Sequence, residues 1–249
     1  LTRFAGGFLL VIAFLAAGAM AARAQVDQGR ALDALEAARE LKAAVLAAPS
    51  PEAAPRLGDP KIAALYGEAL DLSLIAEGIQ QPAGIALLFD LQREAGAIIR
   101  SYLLAGIRAK SLASDLSGEQ AARNFVAFLP ELARLYDFRV ETGSAISAAA
   151  AMLPGETSDP TVSSAVAAIA VEQEKILLSA IAVASDQQIA PAWRAERVAA
   201  LGRAAGGYPR LLGKKKAQEV ADRALAAAIE EGDANVAAGL KDFALAMLR

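Results

Sequence analysis

Alanine supplies 63 of the 249 residues, and almost nowhere do apolar and polar residues alternate one by one. Both facts push in one direction. Alanine is the strongest helix former and stands here among Leu, Glu, Arg and Lys, while a half-buried strand needs the two-residue alternation that is missing. The chain is therefore expected to be all-α, an irregular bundle of about eight helices with no sheet.

Local signals place the helices. From Gln28 to Ala48, residues Ala31, Leu35, Ala38, Leu41 and Val45 recur at three- and four-residue steps, so one stripe faces a core. Pro49, Pro51, Pro55 and Pro60 then put four of the ten prolines into a short stretch. An extended, stiff linker is expected over 49–60, joining an N-terminal helix (25–48) to a main helical domain (61–249). Asp59-Pro60 starts a second helix that fades near Gly78, since aspartate caps free amides and proline suits the first helical position. A third runs from Pro82 to about Leu112. Ser117 with Gln120 makes a capping-box pattern for a fourth, which Pro130 kinks or splits. Pro154-Gly155 closes that unit. Asp159-Pro160 launches a helix to about Ala184. Shorter helices follow from Pro191 to Ala205, Lys214 to Glu231 and Ala234 to Leu248, separated by Gly206-Gly207 and Gly232-Asp233.

The first 24 residues read as an address. Phe4 to Ala22 is an uncharged run of 19 residues closed by Arg23. Ala22-Arg23-Ala24 fits the small-x-small pattern of a cleaved signal peptide, which places the protein in a bacterial periplasm with no membrane span after cleavage. The alternative is an inner-membrane anchor formed by residues 4–22, a length close to the roughly 20 apolar residues a span needs. Cleavage removes Arg3 and Arg23 and takes the formal net charge from −3 to −5. That sign argues against nucleic acid as a partner, because such binding needs clustered positive charge.

The chain has no cysteine and no histidine. Disulfides, thiol chemistry, Cys- or His-bound zinc and Ser-His or Cys-His catalysis are thereby excluded. Glu-x-x-His di-metal motifs, Asp-x-Asp-x-Asp-Gly calcium loops and nucleophile elbows do not occur, so neither a metal nor a cofactor is expected.

Three places carry candidate function. In the helix 161–185, apolar nearly all round and expected to lie centrally, Glu172, Gln173, Glu174 and Lys175 sweep about 300° of the circumference, so they cannot all face water. Glu172, Gln173 and Lys175 are candidates for ligand contact, with Glu172 a conceivable acid or base; the plainer reading is a wet edge on which Glu172 pairs with Lys175. The aromatic residues Phe125, Phe128, Tyr136 and Phe138 fall close together, where they either wall an apolar pocket or fill a core. The basic residues Arg203, Arg210, Lys214, Lys215 and Lys216 follow a glycine-containing loop that fails the phosphate-loop pattern, since Lys214 is not followed by Ser or Thr and no strand precedes it. They are candidates for docking an acidic partner or anionic lipid, or form a solvated charge run.

The expected function is that of a non-enzymatic periplasmic protein acting through protein contacts, as an adaptor or an accessory subunit of an envelope complex. The alternative is a carrier of an apolar or amphipathic small molecule. A carrier needs an enclosed cavity on the order of a few hundred Å³; an adaptor needs a filled core and an exposed apolar face or groove.

Overall fold

The computed structural model describes residues 28–75, 79, 82–107, 118–153 and 160–249. Among these residues the chain is all-α, with nine helices and no strand. They are α1 (Gln28–Ala47), α2 (Pro60–Ala69), α3 (Pro82–Leu103), α4 (Glu119–Ala127), α5 (Leu129–Ala150), α6 (Pro160–Ala184), α7 (Pro191–Ala204), α8 (Pro209–Glu230) and α9 (Ala234–Met247). No helix among the described residues is long and apolar enough to cross a membrane. The run 4–22, the Ser117 cap, Gly78, Pro154-Gly155 and Asp159 lie outside the described residues.

Several starts follow from local chemistry. The Asp59 carboxylate accepts from the Lys61 and Ile62 amides, and Asp233 does the same for Asn235 and Val236. Each cap satisfies amides that have no partner within the helix. The helix around Pro130 is split rather than kinked: Phe128 (φ −112°, ψ 22°) ends α4 and begins α5. Gly213 takes φ 75° and ψ 161°, a conformation open to glycine, so the long helical part of α8 starts at Lys214 after one preceding turn.

Other expectations are corrected. The second helix stops at Ala69, not near Gly78: beyond it the Asp71 carboxylate accepts from the Ser73 amide and pairs with Arg30, drawing the backbone into a turn. The third stops at Leu103, not Leu112. Gly106 takes φ 76° there, and a buried Asn124 donates to the Leu103 and Ala105 carbonyls that the helix leaves open.

The proline-rich stretch is turned, not extended, with backbone bonds from Ala53 to Ser50, Ala54 to Pro51 and Asp59 to Arg56. It is held against the helices. The Tyr66 hydroxyl donates to Tyr102, whose hydroxyl donates to the Pro55 carbonyl. Arg56 donates to the Ala127 carbonyl and lies over the Phe128 ring, and the Leu57 amide donates to the buried Glu131 carboxylate.

The apolar side chains form two clusters. One joins α1, α2, α3 and much of α5 through residues such as Leu41, Tyr66, Leu88, Ile98, Phe128 and Leu135. The other joins α7, α8, α9 and the C-terminal half of α6 through Leu177, Leu201, Tyr208, Val220, Leu240 and Phe243. Both α5 and α6 contribute to the two clusters: α5 gives Leu132, Leu135, Phe138 and Ile146 to the first and Val140 to the second, and α6 gives Ile169 to the first and Leu177 to the second. Of the two, α5 packs against more helices, α3, α4, α6, α7 and α8, whereas α6 packs chiefly against α5, α7 and α8. The central position expected for 161–185 therefore belongs to α5. Apolar composition does not by itself require burial, because alanine is readily left at a surface.

Candidate functional site

The four polar residues in the middle of α6 part company. Gln173 is fully buried. Its amide pairs reciprocally with that of Gln92 on α3, at 3.0 and 2.8 Å, and Gln92 also donates to the Arg139 carbonyl on α5 at 2.7 Å. The Tyr208 hydroxyl donates to the neighbouring Val140 carbonyl. Gly143 makes this crossing feasible: a methyl group there would stand 2.6 Å from Gln92 Nε2 and 2.7 Å from the Tyr208 hydroxyl. The node is a reciprocal amide pair and a phenol, each also anchored to a backbone carbonyl of α5; burial pushes the Tyr208 phenol well above its usual range, so it remains a neutral donor.

Glu172 points to the edge, a third exposed and 3.7 Å from the guanidinium of Arg139. Its partner is Arg139 and not Lys175. Burial lowers the affinity of Arg139 for its proton, and the carboxylate of Glu172 opposes that shift. Glu174 pairs with Lys216 on α8 at 2.5 Å. Lys175 is exposed.

The four aromatic residues belong to or pack against one hydrophobic cluster, at different depths. Phe128 is fully buried, 4.8 Å from Tyr102 between ring centroids, and Phe138 lies in the same cluster. Phe125 and Tyr136 are half-buried against the edge of that cluster, where Phe125 meets Tyr136 at 6.4 Å and Trp193 on α7 at 6.0 Å. The space beside Tyr136 and Asp137 measures about 10 Å³, room for about one water. Trp193, whose indole donates to the Leu129 carbonyl and whose face carries Arg197, had no sequence signal, being the lone tryptophan on a different helix. Asp137, bridged to Arg197, is pushed by burial up to about 6, with Arg197 opposing.

The basic residues also separate. Arg203 pairs with Glu141 at 2.8 Å, Lys215 reaches toward Glu219 at 3.9 Å, and Lys216 holds Glu174. Arg210 and Lys214 instead line an open groove of about 690 Å³ between the start of α8 and the end of α9. Pro209, Ala217, Ala246, Met247 and Leu248 form apolar walls, and Arg249 adds a second guanidinium and so a third cation. The residues of α9 could not be assigned to this groove from sequence, because they lie far along the chain from Arg210.

A second surface feature lies on α6. Ser164, Ala168, Val171, Lys175, Leu178 and Ala182 are all exposed, Val171 at 44% and Leu178 at 37%. Their steps of four and three place them on a single stripe about 27 Å long.

No group of three or more Asp and Glu side chains capable of holding a metal occurs among the described residues. Comparison with protein-family models, with curated proteins and with solved structures finds no match to this chain.

Proposed function

We propose that the protein works through helix-to-helix contacts, as a non-enzymatic adaptor or accessory subunit in the cell envelope, and that the outer stripe of α6 is its contact face. The observation that carries this reading is the composition of that stripe. An outward helix face ordinarily carries charged and polar residues. This one carries Ala168, Val171, Leu178 and Ala182 with a lone charge, Lys175. Alternating steps of four and three are the spacing by which one helix seats side chains between those of another. Placement in the envelope rests on the uncharged run 4–22 and its small-residue end.

Site-specific photo-crosslinking in native cells tests the reading. A benzophenone side chain at Leu178 is expected to capture a defined protein, and one at the distant, exposed Lys61 is not. With the benzophenone kept at position 178, Val171→Glu with Ala182→Glu, two exposed positions of the same stripe, should abolish capture while leaving the far-ultraviolet circular dichroism unchanged. Capture no greater at Leu178 than at Lys61 refutes the contact face. Cell fractionation tests the envelope placement: recovery with cytoplasmic markers refutes it.

A further inference from the structure

The groove between α8 and α9 combines two properties that seldom meet on an acidic protein. Its walls are apolar and partly small, with Ala246 leaving room for a backbone to approach above the buried Ala217. Two of its cations have no carboxylate partner among the described residues. Lys214 makes no ion pair among the described residues, and Arg210 meets the Met152 sulfur at 2.8 Å rather than an acid. The whole chain carries a formal net charge of −3, so the positive charge here is local.

We infer that this groove binds an acidic, amphipathic helical segment of a partner protein, laying apolar side chains against Ala246 and Leu248 and carboxylates against Arg210 and Lys214. The inference stands on the groove and is independent of the α6 face. Shape separates this occupant from a bilayer. A membrane surface meets protruding residues, whereas a concave trough accepts a rod. Charge points the same way. An anionic bilayer faces the whole acidic molecule, while a narrow segment senses chiefly charges within about 8–10 Å. A small amphipathic anion is disfavoured because the trough is open, and small-ligand sites enclose most of the ligand surface.

The test uses the full chain and fluorescence anisotropy. The probe is a fluorescein-labelled amphipathic helix of Leu, Ala and Glu. Its counterpart with Lys in place of Glu, dodecanoate, and vesicles of phosphatidylglycerol are the alternatives. The Glu helix is expected to bind, to weaken about tenfold between low and 0.3 M salt, and to weaken about fivefold or more in the double variant Arg210→Ala, Lys214→Ala. The double variant Lys61→Ala, Arg123→Ala removes the same charge elsewhere and should leave binding unchanged. No binding of the Glu helix, equal binding of the Lys helix, or binding indifferent to the groove variant overturns the inference. So does stronger binding of dodecanoate or vesicles that the groove variant abolishes. None of these outcomes alters capture at Leu178, so failure of the groove is distinguishable from failure of the α6 face.

Discussion

Replacing Gln92 by methionine, which has similar length and no amide, removes all three hydrogen bonds of the central polar node. It leaves both ends of the fully buried Gln173 amide without a partner. At about 1–3 kcal/mol for each orphaned polar group, the cost is about 2–6 kcal/mol. Gln173→Met is gentler. Gln92 still donates to the Arg139 carbonyl and loses the use of its own oxygen, for about 1–3 kcal/mol. The double variant strands no amide. Arg139 lies inside α5, where its carbonyl keeps a helical partner, so the cost should fall to about 0–2 kcal/mol. The order of destabilisation is therefore Gln92→Met, then Gln173→Met, then the double variant, with a coupling of at least about 1 kcal/mol between the sites. Urea unfolding followed by circular dichroism at 222 nm gives the four stabilities. If the double variant loses as much as the two single variants combined, or Gln173→Met loses more than Gln92→Met, the reasoning fails.

Two further perturbations test the packing and the electrostatics. Gly143→Ala places a methyl group against Gln92, Gln173 and Tyr208 and should lower stability by about 1–3 kcal/mol. Gly202→Ala, at an exposed position in α7 with nothing within 4 Å, should raise it by about 0.5–1 kcal/mol; thermal melts showing the same sign for both contradict the assigned contacts. Asp137, held up to about 6 by burial against the opposing Arg197, keeps a proton in the folded state that the unfolded chain releases near pH 4. Its contribution therefore falls as pH rises from about 4 to 6 and is constant above that range. Relative to Asp137→Asn, the native chain should lose stability on the order of 2 kcal/mol across this window; a difference that stays flat from pH 4 to 7.5 would show that the carboxyl titrates normally.

Features that depend on a few neighbouring residues were legible from the chain alone. Helical class follows from alanine and the missing alternation. Asp59 and Asp233 mark true starts because a cap needs only its own carboxylate and the next amides. Pro130 divides a helix, and Gly213 sets the start at Lys214, for equally local reasons. What tertiary packing decided is who meets whom. The polar sweep on α6 required that not all four residues face water, but the partner of the buried Gln173, Gln92, stands 81 positions away. The aromatic residues near Pro130 look like one group in sequence; the fold puts Phe128 deep in a core and Phe125 at its edge, beside Trp193 from another helix. The five basic residues look like one run, yet α6, α5 and α9 draw them to different neighbours. A helix signal acts within about one turn, whereas these pairings exist only after non-adjacent helices have packed, which is why hydropathy pointed to α6 as the central helix and the fold chose α5.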